Sequence, residues 1–309
     1  MRVLTLTTLL LFLLPGTSVR AQTIDAYREV VSKTIEDTYK YTPGRELAVE
    51  GEKAEIFVET WDKQLIEVKV VMTARHANLE RAEQDLANLE YIAETGGQKI
   101  FLKNQLIDKS YRAASELTIH YYITLPEECP VYLKSHFGGA TISNLKNQLR
   151  IVGEYSAINI DNVQGLLDIR TRFGDISGER IDGNVVINSR RSDIRLVDIG
   201  GTFTINAQYG VLKLSPNLAM RDLRITADKS DVYIYEPLGV ESLAYEFNLS
   251  HGQAKLPEGR QLLELENSSE VRRVALRPKT ERSGTVTATL TFGDLYLAKQ
   301  TKELERVRF

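Results

Sequence analysis

The sequence predicts an all-β protein: a β-solenoid, or β-helix-like ladder, of 18-residue repeats with one short N-terminal amphipathic helix. Three observations predict it. The segments VYLKSHFGGA from Val131, LRIVGEYSAI from Leu149, LDIRTRFGDI from Leu167, VVINSRRSDI from Val185 and FTINAQYGVL from Phe203 start at equal spacing, and LRITADKSDV follows from Leu223. Within each segment apolar and polar residues alternate with a period of two, as in a strand with one dry and one wet face. Each strand ends in Gly or Ser, after which a second alternating run begins.

A chain of 309 residues with 42% hydrophobic and 26% charged residues can bury a large core, which excludes a wholly disordered protein. Lys and Arg total 39 against 42 Asp and Glu, so the basic excess expected of a general nucleic-acid binder is absent. A single cysteine, Cys129, excludes an intrachain disulfide; in PEECPVY it reads as a buried free thiol.

The first 21 residues predict a secretory signal peptide. Arg2 precedes an apolar run from Val3 to Leu14, Pro15 and Gly16 break it, and Val19-Arg20-Ala21 sets up a cut before Gln22. The run is well short of the about 20 apolar residues that cross a bilayer, and no cysteine near the cut offers a lipid attachment point. The expected destination is the periplasm, cell envelope or extracellular space, with no transmembrane span in the mature chain.

Residues 22–130 are expected to form an irregular β region. YREVVSKTIEDTYKYTPGRELAVEG is ambiguous between helix and strand, whereas AEIFVET and QLIEVKVVMTAR alternate clearly. Leu79, Ala82, Leu86 and Leu89 recur at three- and four-residue intervals, predicting a helix over 78–91 with Glu80, Arg81, Glu83, Gln84 and Asp85 on its polar side. It would shield an end or side of the sheet. Trp61, before Asp62-Lys63, is expected to anchor a turn between strands.

Residues 131–235 form the regular ladder. Its first column is Val131, Leu149, Leu167, Val185, Phe203 and Leu223, and its second Leu133, Ile151, Ile169, Ile187, Ile205 and Ile225. A small-residue column follows in the same parity, then a bulky one of Phe137, Tyr155, Phe173, Arg191, Tyr209 and Lys229, which strict alternation places inward, with Arg191 and Lys229 as departures that mark local distortion or a solvent-accessible face. Past the Gly/Ser position, Ile158, Ile176, Ile194, Leu212 and Val232 align, then Ile160, Leu196, Leu214 and Ile234, with Gly178 the exception. Leu145, Val163, Ile181 and Ile199 give a third inward position, and Gly165, Gly183 and Gly201 close the repeat at a corner. Each unit then consists of two short strands and two corners. One unit cannot hide its apolar face, whereas stacked units bury each other's. A closed coil of this length has a perimeter of roughly 60 Å at about 3.3 Å per residue, which fits only a narrow or triangular tube. Parallel stacking is preferred, but the repeat alone does not decide strand direction, and an antiparallel β-roll or sandwich is the alternative.

Residues 236–309 continue as irregular β repeats and a charged tail. GTVTATLTFGDLYLAK from Gly284 regains the form of strand, Gly-Asp, strand. The terminal Phe309 follows a heavily charged segment without the lipid-facing strands of a membrane barrel.

The leader, the strands of LAVEGEKAEIFVETWDKQLIEVKVVM, the interposed helix and the ladder LDIRTRFGDIS, VVINSRRSDIRL and FTINAQYGVLKL together resemble the bacterial "putative adhesin" β-strand-repeat family. The likeness spans most of the mature chain and is strongest from Val131 to Tyr235. It implies an exported, β-helix-like body with no settled biochemical activity, and it carries no catalytic signature.

The chemistry-bearing residues fit that picture. The glycines belong to repeat corners and not to a nucleotide loop, no GxSxG elbow is present, and His76, His120, His136 and His251 lack metal-ligand spacing. No cofactor is implied. Asp175, Asp193 and Asp231 share one column just past the turn, where aspartate commonly hydrogen-bonds a turn. In a parallel stack Asp175 and Asp193 would lie about 4.8 Å apart, close enough for an acid/base pair or, with Asp168 and Glu154, a cation site in a polysaccharide-processing enzyme. Arg170, Arg172, Arg190 and Arg195 put guanidinium groups on the ladder surface, where they would pair with neighbouring carboxylates or contact an anionic glycan or a partner protein. The expectation is a non-enzymatic envelope or extracellular β-repeat protein, a scaffold or adhesin-like binder of protein or glycan. The enzyme based on ladder carboxylates is the alternative.

Overall fold

The computed structural model describes residues 29–237, 243–257, 263–268, 270–277 and 284–299. The expected signal peptide and the expected charged tail from 300 to Phe309 lie outside the described residues. What is described is almost entirely strand, with a single helix, Leu79–Ala87.

The ladder is parallel, which excludes the antiparallel roll for residues 131–208. Lys146–Glu154 lies between Val131–His136 and the first half of the next coil, with Ile151 beside both Leu133 and Ile169. Ala157–Arg172 then pairs with Ile176–Arg190, and that strand with Ile194–Glu236, which runs on through a further coil. The register sets Ile169 beside Ile187 and Ile187 beside Ile205, so like residues stack on like. All of them are buried, each contributing on the order of 1.5–3 kcal/mol of apolar burial.

The coils from Leu149, Leu167 and Val185 each have three left-handed corners, one more than strict alternation implies. In one coil these are Tyr155 (φ 52°), Asn162 (φ 50°) and Gly165 (φ 120°); the next repeats them at Phe173 (φ 55°), Arg180 (φ 53°) and Gly183 (φ 136°). The first corner overturns the inward placement of the bulky column. A left-handed residue breaks the period of two, so Phe137 (56% exposed) and Tyr155 (47% exposed) face solvent. The corner is zipped to its neighbour by Tyr155 N–H to Arg172 C=O (2.9 Å) and Phe173 N–H to Arg190 C=O (3.1 Å).

The alternation of Gly and Ser after this corner has a mechanical cause. Ser156 Oγ accepts from Gly138 N–H (3.4 Å), Ser192 Oγ from Gly174 N–H (3.3 Å) and Ser230 Oγ from Gly210 N–H (3.2 Å). A Cβ on Gly174 or Gly210 would collide with the carbonyl oxygen of Ser156 or Ser192. Gly178, the gap in the apolar column, lies where the Ile181 and Leu196 side chains already fill the space.

The flanks extend the stack out of sequence order. Glu46–Glu52 pairs in parallel with Val131–His136 on one side and Lys99–Leu106 on the other, and Ala54–Trp61 sits between Gly139–Ser143 and Glu116–Pro126. At the far end Thr285–Thr291 lies between 222–228 and Ala244–Ser250, so the repeat beginning at Gly284 stacks directly on the coil of Leu223. The ambiguous segment near the start is the strand Glu29–Lys40, antiparallel to Leu65–His76. Trp61 donates Nε1–H to Leu65 C=O (2.8 Å), tying the turn between its strands.

The helix is shorter than its periodicity predicts. Asn78 caps it by accepting Arg81 N–H (2.9 Å), and Leu89 opens the strand Leu89–Gly96 instead of continuing it. Ala82 and Leu86 are buried, while Leu79 is half exposed. Asp85, expected on the polar side, is fully buried: it accepts from Tyr111 OH (2.5 Å), Ala114 N–H (3.0 Å) and Ser115 N–H (2.7 Å). Burial alone would raise its pKa, but the Tyr111 and Ser115 hydrogen bonds and the Arg81 charge hold the carboxyl below the ordinary aspartate range. Among the described residues no helix is long and apolar enough to cross a membrane.

Candidate functional site

Three of the four surface arginines come together. Strands 149–154, 167–172, 185–190 and 203–208 present their outward residues on one parallel face. There a groove of about 590 Å³ is lined by Arg170, Arg172, Arg190 and Gln208, with the carboxylates Glu154 and Asp228 towards its two ends. Arg195 lies past the first corner, in register with Ser177 on the neighbouring face.

The pairing on the groove face is uneven. Arg170 closes on Asp168 within its own strand (3.1 Å). Asn206 donates to Asn188 (3.0 Å) and Gln208 to Asp228 (3.0 Å). Glu154 lies 3.4 Å from His136, towards the preceding coil. Arg172 and Arg190 stand directly opposite each other in register, and neither forms an ion pair or side-chain hydrogen bond with any described residue. Like charges directly opposite on adjacent strands destabilise a sheet; Glu154, in register with Arg172 on its other side, offsets part of that repulsion for Arg172, whereas Arg190 has Gln208 there.

The neighbouring corner adds a second row. Phe137 stacks on Tyr155 (centroids 5.0 Å, planes 3° apart) and Tyr155 on Phe173 (4.8 Å, 4°). Arg191 lies over both Phe173 (5.4 Å) and Tyr209 (5.9 Å), and Lys229 over Tyr209 (5.2 Å). Strict alternation assigns this column to the core, with Arg191 and Lys229 as departures pointing to a solvent-accessible face; the structure extends that face to the aromatic members Phe137, Tyr155, Phe173 and Tyr209 as well.

The aspartates occupy a different environment. Asp175 Oδ1 accepts Asp193 N–H (2.9 Å), and Asp193 Oδ1 accepts Val211 N–H (2.8 Å). Asp231 Oδ1 accepts Asp294 N–H (2.9 Å), and Asp294 Oδ1 accepts Gln253 N–H (2.9 Å). Each carboxylate therefore binds the backbone of the next coil at the same turn. The Gln253 amide, together with Lys255, holds the Asp294 carboxyl below its ordinary pKa even against partial desolvation.

Among the described residues no group of three His, Cys, Asp or Glu is placed to hold a metal ion. The histidines are dispersed: His120 stacks near Phe57 and Tyr122, and His251 on Phe292. Cys129 is buried, with its thiol 3.5 Å from Arg45 C=O, and desolvation pushes its pKa up to about 12. A second cavity of about 450 Å³, beside Glu52, Asn104, Tyr111 and Ser115, lies in the N-terminal flank. Its Asn104 amide is occupied by Glu52 C=O (2.8 Å) and Tyr121 OH (3.1 Å), as a structural brace.

No protein-family model matches the chain, and no curated protein matches its sequence. Several solved bacterial structures resemble it remotely. A "putative adhesin" from Bacteroides fragilis is 13% identical, with 86% of this chain and 97% of that one covered and a TM-score of 0.45. A "putative cell adhesion protein" from Clostridium sporogenes is 12% identical, covering 87% and 100%, with a TM-score of 0.30. A "putative lipid binding protein" from Parabacteroides distasonis is 11% identical, covering 87% and 97%, with a TM-score of 0.34.

Proposed function

We propose that this is an exported, non-catalytic β-solenoid of 18-residue coils that binds an envelope or extracellular glycan or protein through the arginine-bearing face of its ladder. One observation carries the reading: Arg172 and Arg190 are set side by side over a groove and neither is ion-paired, the two carboxylates that also line it being engaged elsewhere, Glu154 by His136 and Asp228 by Gln208. A scaffold optimised only for stability would alternate charge at these positions, as the Arg170–Asp168 and Arg180–Asp161 pairs do elsewhere on the surface. Export rests on the apolar leader and its cut before Gln22.

The enzymatic alternative has less support. Asp175 and Asp193 each hold a backbone N–H of the next coil through Oδ1, which accounts for their shared column as a turn brace without any catalytic role. The test is to screen the mature protein against envelope extracts and glycans while following both retention and product formation. Stable retention without turnover, lost in Arg172→Gln/Arg190→Gln, is expected. Hydrolysis or elimination of a glycan that disappears with Asp175→Asn would overturn the reading.

A further inference from the structure

We infer that the N-terminal end of the ladder is a dimer interface, where the edge strand Glu29–Lys40 pairs antiparallel with the same strand of a second copy about a two-fold axis through Ile35. From the regular ladder one sheet runs outward through Gly139–Ser143, Ala54–Trp61, Glu116–Pro126 and Leu65–His76 and ends at Glu29–Lys40. That last strand is paired along its whole length with Leu65–His76 and with no other described strand. Its outer row of backbone N–H and C=O groups is therefore open to a further strand. Sheets blunt such an edge by keeping it short, by a bulge, by proline or by charge. This strand runs for 12 residues with no register shift and no proline. Only its charges remain as a guard.

Those charges answer one another between two copies. A two-fold axis normal to the sheet keeps every side chain on its own face, so opposed positions must share parity. Centred on Ile35, the pairing sets Lys33 against the second copy's Asp37, and Asp37 against its Lys33, with Cα atoms about 4.5–5.5 Å apart. Within one chain Lys33 is exposed, and neither residue forms an ion pair with any described residue. Asp37 Oδ2 accepts from both Tyr39 OH (3.1 Å) and Tyr91 OH (2.9 Å), which leaves Oδ1 for a cation. The other charges raise no conflict. Glu36 comes opposite Thr34 and Lys40 opposite Val30, and the two Glu36 carboxylates, diagonal across the axis, are each held by Lys69 of their own chain (3.5 Å). Centring on Thr34 instead leaves Lys33 and Asp37 against apolar residues, and centring on Lys33 or Glu36 sets like charges face to face.

The apolar row on the same face points the same way. Val31, Ile35 and Tyr39 pack against the core but are only partly buried, whereas Ala74, Val70 and Ile66 beside them in register are fully buried. The core thus ends half-covered at this edge. In the Ile35-centred pairing Ile35 meets Ile35 and Val31 meets Tyr39, so the apolar row continues into the second copy. The interface is isologous and closes on itself, and it joins two ladders at their N-terminal ends into one continuous sheet. A second copy supplies the complement by symmetry alone, whereas a foreign strand would need the same charges and apolar residues at matching positions.

The test is sedimentation of the mature protein over a concentration series. Wild type should form a dimer. Lys33→Asp and Asp37→Lys each reverse two symmetry-related pairs and should raise the dissociation constant by about tenfold or more. An equimolar mixture of the two variants should recover the dimer, because every reversed pair is then again opposite in charge. Should Asp37→Lys fail to fold for want of its tyrosine hydrogen bonds, Ile35→Cys replaces the mixing arm. On the axis it should oxidise to a disulfide-linked dimer, whereas Val30→Cys, opposed to Lys40, should not. A wild type that is monomeric at every concentration would overturn the inference, as would a dimer indifferent to Lys33→Asp or a mixture that stays monomeric. Equal cross-linking through Val30→Cys and Ile35→Cys, or an Ile35→Cys chain that links only to a foreign envelope protein, would overturn it too.

Discussion

Asp193 donates its backbone N–H to Asp175 Oδ1 at 2.9 Å and offers its own Oδ1 to Val211 N–H at 2.8 Å, so one aspartate column links three successive coils. An acceptor is required here, and an asparagine carbonyl supplies one. Asp175→Asn and Asp193→Asn should therefore leave the melting curve and any binding nearly unchanged. Asp175→Ala should cost about 1 kcal/mol, and calcium should not shift the wild-type melting temperature. Calorimetry on wild type and the three variants, with and without calcium, checks both statements.

Gly174→Ala should be far more damaging than its size implies, because the added methyl meets the Ser156 carbonyl oxygen of the preceding coil. A loss of about 2 kcal/mol or more is expected from denaturant unfolding. Ser192→Ala, which removes only the acceptor for Gly174 N–H, should cost about 1 kcal/mol.

The core assignment is tested by a matched pair. Ile187→Asp places a charge among apolar neighbours at a fully buried position and should cost several kcal/mol, on the order of 3–5. Arg170→Ala removes a side chain that is 64% exposed, together with its Asp168 partner contact, and should change stability by about 0.5 kcal/mol or less. Equal losses would contradict the assignment of faces.

Acid should loosen the N-terminal flank. The Asp85 carboxyl is held below its ordinary pKa by Tyr111, Ser115 and Arg81. Its contribution is therefore complete above the unfolded value of about 3.9 and fades as pH falls through the lower folded value. Hydrogen-exchange protection across 107–115, taken relative to the intrinsic amide rate at each pH, should fall over that window, and Asp85→Asn should flatten the pH dependence while weakening protection at neutral pH. An acid response identical in wild type and Asp85→Asn would refute the assignment.

The apolar ladder was legible because Ile151, Ile169, Ile187 and Ile205 recur at one spacing and the structure sets them side by side. Strand direction was not, since parallel stacking and serial hairpins bury the same columns. The corner row was read inside out: one left-handed residue at Tyr155 or Phe173 shifts the side-chain parity, and no propensity marks aromatic residues for that conformation. Asp85 looked solvated because helix periodicity knows nothing of the loop at 111–115 that folds over it. The arginines were visible singly, but Arg172 facing Arg190 and Arg195 lying beyond a corner are consequences of register and turn geometry. The order of the outer coils was hidden for the same reason, because stacking neighbours such as 222–228 and Thr285–Thr291 are far apart in sequence.

The central claim is that Arg172 and Arg190 are kept together at a cost to stability because something outside the chain uses them. The most direct test is the equilibrium stability of ligand-free Arg190→Gln at low and high salt. Relief of the like-charge pair predicts a variant more stable than wild type by about 0.2–1 kcal/mol at low salt, with the gain shrinking as salt screens the repulsion. A variant less stable than wild type at low salt would mean that Arg190 serves the fold, and would contradict the account.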